Sequence, residues 1–188
     1  MSEGDRLLHW SIDALEDAHI AYMICGSLAS SVYGEARATN DVDMVIDPTS
    51  QQLDIFLHKA PSSFYVSVDA ATDALARRGM FNVIDPATGM KVDFVIRKER
   101  PFSVQELGRR KRISFSEREA YFASPEDVVL TKLEWAALGG SDRQLEDAAH
   151  IIRIQAKSLD VTYLRWWGSE LGVSAVLEKL LKSMPPDA

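Results

Sequence analysis

Cysteine is nearly absent. Cys25 is the single one in 188 residues, which excludes an intramolecular disulfide framework and a cysteine-built zinc site. Long apolar runs are missing as well, and no uninterrupted stretch approaches the roughly 20 residues that a membrane-spanning helix needs. The opening Met1-Ser2-Glu3-Gly4-Asp5 has no basic segment of the kind that begins a secretory leader, so the expected address is the cytoplasm. Positive charge is in deficit: 21 Lys and Arg face 28 Asp and Glu, a formal net charge of −7. That excludes an overall basic surface for coating nucleic acid. Internal repeats and low-complexity tracts are lacking too. An ordinary apolar share with four Trp fits a packed domain, alone or with a small appendage.

The charge is unevenly placed. Between Arg97 and Arg112 stand seven basic and two acidic residues, which leaves −12 for the rest of the chain. A local basic strip on an acidic body can hold a polyanion. A solvated strand and loop is the plainer reading of the same residues.

Hydrophobic periodicity predicts a first helix from about Asp5 to Ala18, with Leu8, Ile12 and Leu15 on one face. Ala21 to Cys25 reads as a short buried strand and Leu28 to Tyr33 as a short helix, with Gly34 as a left-handed cap. Val42 to Ile46 is the next strand, and Pro48-Thr49-Ser50 opens a helix carrying Leu53, Phe56 and Leu57. Strands are expected at Tyr65 to Val68, Met80 to Ile84 and Lys91 to Ile96, with a helical turn around Thr72 to Arg77. Asp85-Pro86-Ala87-Thr88-Gly89 reads as a hairpin connection. A further strand is expected at Lys111 to Phe115. Ser124-Pro125-Glu126-Asp127 is a helix start: an N-cap serine, proline at the first position and acids in the first turn. That helix should end at Gly139-Gly140, and Ser141 with Gln144 predicts a capping box for the next, through about Lys157. Val161 to Leu171 and Val173 to Met184 complete a helical last third. The fold class is therefore α+β or α/β with a helical tail.

The chemistry concentrates in two stretches. Gly26-Ser27 lies where a strand gives way to a helix, a place where glycine permits a tight turn and helix-start N–H groups can hold phosphate oxygens. Asp41 and Asp43 are two apart at the start of a strand, so both side chains face one side. Adjacent carboxylates repel unless a cation lies between them, and magnesium suits a few carboxylates plus substrate phosphates. In Lys91-Val92-Asp93-Phe94-Val95-Ile96 an acid interrupts an apolar strand. If that strand lies beside Val42 to Ile46, three acids converge as two-metal phosphoryl chemistry requires.

Gly26-Ser27, Gly34, Arg37, Thr39, Asp41-Val42-Asp43 and the later Val92-Asp93-Phe94 together resemble the DNA polymerase β-like nucleotidyltransferase superfamily, in its small bacterial abortive-infection-toxin-like branch. The resemblance implies an α+β nucleotidyltransferase-fold domain over residues 1–120. A mixed β-sheet flanked by helices would form it, with a helical C-terminal segment, 121–188, packed on it. The implied reaction moves a nucleoside monophosphate from a nucleoside triphosphate to an acceptor hydroxyl on RNA, protein or a small molecule such as an aminoglycoside. Asp41, Asp43 and Asp93 would be the catalytic and metal residues, with two Mg2+ ions as cofactors. Gly26, Ser27, Arg37 and Lys132 would bind the nucleotide, and Asp147 would support the site. The branch also implies a toxin of a toxin–antitoxin pair with an antitoxin partner, and the strip Arg109, Arg110, Lys111 and Arg112 would touch an RNA or protein acceptor.

Two departures stand out. Thirteen residues, Leu28 to Asn40, separate Gly26-Ser27 from Asp41, more than in the minimal enzymes of the superfamily. Gln144 occupies a place where many relatives carry a further acid. The Asp-x-Asp of haloacid-dehalogenase phosphatases is set aside, because Ala38-Thr39-Asn40 rather than an apolar strand precedes Asp41. The alternative of another class is a nucleotide-binding or partner-binding module that keeps the fold without turnover. His9, His19, His58 and His150 show no ligand spacing.

Overall fold

A computed structural model describes residues 6–36, 39 and 41–183. The chain divides into two compact units, Met1–Ser27 with Thr39–Phe122 and Leu28–Ala38 with Ala123–Ala188. In chain order the elements are α1 (Arg6–Asp17), β1 (Ala21–Cys25), α2 (Gly26–Tyr33), β2 (Asp41–Asp47), α3 (Ser50–His58), β3 (Tyr65–Val66), α4 (Val68–Arg77), β4 (Met80–Asp85) and β5 (Met90–Ile96). There follow α5 (Pro101–Gly108), β6 (Lys111–Phe115), β7 (Arg118–Phe122), α6 (Pro125–Gly139), α7 (Asp142–Gln155), a short 3-10 turn, α8 (Val161–Glu170) and α9 (Ser174–Lys182). The class is α+β with a mixed sheet, as expected. Asp5 and Met184, the outer ends of the first and last expected helices, lie outside the described residues.

The first unit is built on that sheet, in the order β3-β4-β5-β2-β1-β7-β6. β2 pairs with β5 and β1 with β7 in parallel, while the remaining neighbours are antiparallel. Alternation sets the faces. Val42, Met44 and Ile46 of β2, with Val92, Phe94 and Ile96 of β5, are buried on one side, which places the intervening residues of both strands on the other. The buried side meets an aromatic cluster in which Phe94 lies 5.1 Å from Phe56 and 5.2 Å from Phe81, with Trp10 of α1 5.3 Å from Phe56. Phe94→Ala should therefore cost about 3–5 kcal/mol, read as a lowered urea midpoint with the slope unchanged.

The β4–β5 hairpin is fixed at its turn by Asp85, a fully buried carboxylate. It accepts two hydrogen bonds from Arg6 Nη2, at 2.9 and 2.8 Å, and one from the Ala87 N–H at 3.0 Å. Burial pushes this carboxyl up, but the hydrogen bonds from Arg6, Ala87 and Thr88 outweigh it and hold it below the usual range. A carboxyl depressed in the folded state contributes stability that is complete above its unfolded value and lost as pH falls through the folded one. Arg6→Met should accordingly flatten the acid limb of the stability–pH curve below about pH 4, measured by thermal melts across pH.

The second unit is helical. Ser124 caps α6 by accepting from the Asp127 N–H, Pro125 takes the first turn, and Gly140 ends the helix at φ 64°. Asp127, fully buried, accepts from Ser124 Oγ at 2.6 Å and from Tyr163 Oη at 2.6 Å. Glu126 accepts from the Asp160 N–H at 3.0 Å, so the acids of the first turn tie α6 to α8. Tyr33 donates to the Ala123 carbonyl at 2.9 Å. Its hydroxyl is raised well above the ordinary tyrosine value, first by burial and then by Glu126 and Asp127.

Several sequence expectations need correction. Ser141 is the N-cap of α7 but makes no side-chain cap hydrogen bond; the capping box is instead at Thr49 and Gln52, opening α3. Gly34 is not left-handed. Its constraint is space, since a Cβ there would lie 3.0 Å from the Ser30 carbonyl oxygen and 3.3 Å from Ile151. The span read as strand and loop in the basic stretch contains α5, because Pro101 suits a first helical turn. β3 is only two residues long, its remainder having joined α4 behind the Ser67 cap. β7 went unread, since its alternation is short and broken by charge.

Candidate active site

β1 runs directly into α2, and the junction is Gly26 at φ 60°. A Cβ on Gly26 would lie 1.9 Å from Asp43 Oδ2 and 2.7 Å from its carboxyl carbon. Only a residue without a side chain leaves room for that carboxylate against the turn. The strand-to-helix turn at Gly26-Ser27 and the second acid of Asp-x-Asp are thus in contact, although 17 positions separate Gly26 from Asp43.

Register brings the acids to one face of the sheet. β2 and β5 align Asp43 with Asp93 and Asp41 with Lys91. Register partners on adjacent strands share a face, so Asp41, Asp43 and Asp93 stand on the side opposite the aromatic cluster. β1 and β4 extend the row, with Cys25 beside Asp43 and Asn82 beside Asp93. Thr39 anchors the entry to β2: its Oγ1 donates to the Asp41 carbonyl at 2.9 Å and accepts from the Asp41 N–H at 3.2 Å. Cys25 Sγ donates to the Asp43 carbonyl at 3.4 Å, a packing role for the cysteine.

Environment separates the three acids. The Asp41 side chain is 62% exposed and that of Asp93 10%, so the first faces solvent and the last is nearly enclosed. Lys91 Nζ lies 2.7 Å from Asp93 Oδ2 and 3.7 Å from Asp41 Oδ1. The hydrogen bond to Asp93 is the main reason the Lys91 ammonium titrates above its ordinary value. Burial opposes that, while the charges of Asp93, Asp41 and Asp43 add to it. Asp93 Oδ1 is buried and has no hydrogen-bond partner. A buried carboxylate oxygen without a donor costs free energy unless something else approaches it.

That orphaned oxygen, in a set of hard carboxylate donors on one face, fits a divalent cation such as Mg2+. As the side chains stand, no group of three acids, histidines or cysteines among the described residues is gathered closely enough to hold a metal ion.

Arg37 falls outside the described residues. Lys132 on α6 and Asp147 on α7 belong to the second unit, where Lys132 Nζ lies 2.7 Å from Asp147 Oδ2 with both side chains largely buried. Removing one partner of such a pair typically costs about 3–5 kcal/mol, so Lys132→Ala should lower the melting temperature. Replacing both residues with Met and Leu should recover much of that loss.

The basic strip is divided by its surroundings. Arg97 is taken up by Asp47, Nε to Oδ2 at 2.8 Å, and Arg109 is the C-cap of α5. Arg110 and Arg112 lie over the Tyr121 ring, 4.8 and 6.0 Å from its centre. They line a surface cleft of about 390 Å³ with Glu16, His19, Tyr22 and Tyr121. Lys91, Asn82 and the Tyr121 contacts were missed in the sequence because each depends on strand register.

Among solved structures, a nucleotidyltransferase-like protein from Paracoccidioides brasiliensis is 19% identical, with a TM-score of 0.57 over 98% of this chain and 95% of its own. The chain has the nucleotidyltransferase fold. ANT(2″)-Ia in complex with adenylyl-2″-tobramycin is 11% identical, with a TM-score of 0.58 over 91% of this chain and 98% of that one. The lincosamide antibiotic adenylyltransferase LnuA, lincomycin-bound, is 12% identical, with a TM-score of 0.55 over 82% and 98%. No family model and no curated protein sequence matches the chain. No helix among the described residues is long and apolar enough to cross a membrane.

Proposed function

We propose that the protein is a metal-dependent nucleotidyltransferase that moves a nucleoside monophosphate from a nucleoside triphosphate to an acceptor hydroxyl. The observation that carries this reading is the alignment of Asp43 with Asp93 on neighbouring parallel strands, with the Gly26 turn packed against the Asp43 carboxylate. Asp41, Asp43 and Asp93 would hold Mg2+, which when bound supplies charge neutralisation for the triphosphate and the developing alkoxide.

The remaining work falls to the chain. The Gly26-Ser27 turn would seat the β and γ phosphates on the N–H groups that open α2. Asp93, the most enclosed of the acids, would accept the proton of the attacking hydroxyl. The acceptor oxygen then bonds to the α-phosphorus, the bond from that phosphorus to the β-bridging oxygen breaks, and pyrophosphate leaves with the electron pair. Thr39 fixes Asp41 through both of its backbone groups.

For the acceptor, a small-molecule hydroxyl is favoured, because two neighbours with TM-scores above 0.5 are antibiotic-resistance or antibiotic-modifying proteins. A polyanionic acceptor such as RNA has one observation in its support, the cleft where Arg110 and Arg112 flank Tyr121. The toxin role and an antitoxin partner rest on the sequence resemblance. Arg110→Ser with Arg112→Ser separates the acceptors. Loss of RNA modification, with a salt slope reduced by about 0.7 per lost phosphate contact, selects the polyanion; unchanged transfer to a small hydroxyl compound selects the small molecule.

A further inference from the structure

The acidic face already contains a cation. Lys91 is two residues before Asp93 on β5 and is the register partner of Asp41 on β2, so its ammonium is delivered between the first and third acids. It lies 2.7 Å from Asp93 and 3.7 Å from Asp41, on a side chain that is 31% exposed. The ammonium occupies Asp93 Oδ2, while Oδ1 of the same carboxylate is buried without a partner. A divalent cation at Oδ1 would stand beside the ammonium on Oδ2 of the same carboxylate, two positive centres side by side.

We propose that Lys91 is a resident counter-ion of the carboxylate triad, and that a divalent cation enters the site by displacing its ammonium. The inference rests on the triad reading given above and adds a positioning residue to it. In the metal-free protein Lys91 offsets the mutual repulsion of Asp41, Asp43 and Asp93. Its flexible four-carbon stem and partial exposure give the ammonium a way out toward solvent. Divalent binding is therefore weakened in the absence of nucleotide, and a bound triphosphate, which adds negative charge, favours the exchange.

The test is a titration of the full chain with Mn2+ alone, read by calorimetry and by the Mn2+ shift in melting temperature. Three proteins are compared: the parent, Lys91→Met, which keeps the stem but not the charge, and Lys91→Arg, which keeps the charge. Lys91→Met should bind Mn2+ roughly tenfold more tightly than the parent. It should also melt lower without metal and gain more from Mn2+. Lys91→Arg should stay within about threefold of the parent, and it decides the matter if Lys91→Met does not fold: an affinity raised about tenfold by Arg would overturn the proposal. Equal or weaker Mn2+ binding by a folded Lys91→Met overturns the counter-ion role and leaves the triad standing. Absence of Mn2+ binding in both parent and Lys91→Met overturns the triad reading itself.

Discussion

Asp41→Asn should lower metal-dependent nucleotidyl transfer by about 10³-fold or more, because several kcal/mol of transition-state stabilisation pass through this carboxylate in the proposed mechanism. The same substitution should leave stability within about 0.5 kcal/mol of the parent. Asp41 is 62% exposed, and Lys91, 3.7 Å from it, is held more closely by Asp93. Loss of one negative charge from a crowded face also relieves repulsion. Asp93→Asn makes the contrast. Its side chain is 10% exposed and carries the 2.7 Å ion pair, so that variant should lose both activity and stability. Single-turnover assays beside urea melts separate the two cases.

Gly26→Ala is the second large effect. The added methyl would lie 1.9 Å from Asp43 Oδ2 at a backbone φ of 60°, so the substitution strains the turn and drives the carboxylate away. A stability loss of about 1–3 kcal/mol is expected, together with loss of nucleotide binding and of transfer. Gly89→Ala is the control. Gly89 has φ 72° with nothing within 4 Å of its Cβ position, so it carries the backbone strain without the collision. Gly89→Ala should cost stability and leave transfer intact. If both variants keep activity, the Gly26 turn has no part in the site.

The shared face of the acids was legible in the sequence because strand periodicity sets it. Asp41 and Asp43 had to share a face, and Asp93 within an apolar strand had no comfortable explanation as core. That β5 lies beside β2 was only a condition, since strand order depends on contacts between residues some 50 positions apart. Lys91 shows why this matters. Its face was readable from alternation, but its meeting with Asp41 exists only in the register. Gly26 was read as a turn, yet its tight contact with Asp43 needed the antiparallel pairing of β1 with β2. Helix starts fared differently according to how local they are. Ser124-Pro125-Glu126-Asp127 formed as read because its partners lie within one turn. Ser141 and Gln144 had the right spacing but not the cap hydrogen bond. The same local reading began a helix at Pro48-Thr49-Ser50 but passed over its capping box, in which Gln52 is also tied to the His19 carbonyl. α5 was lost because the basic residues around it outweigh, in the sequence pattern, the signal of Pro101 and the buried Phe102, Glu106 and Leu107.

The most direct test of nucleotidyl transfer follows the phosphorus atoms. The parent protein and Asp41→Asn are incubated with nucleoside triphosphates labelled at the α or the γ position, with and without Mg2+, and offered tRNA, protein and small hydroxyl-bearing acceptors including antibiotics. The α label, and not the γ label, should move to an acceptor with release of pyrophosphate, only with Mg2+ and only in the parent. Triphosphate binding without α-label transfer to any acceptor, or transfer that persists undiminished in Asp41→Asn, would contradict the proposed reaction.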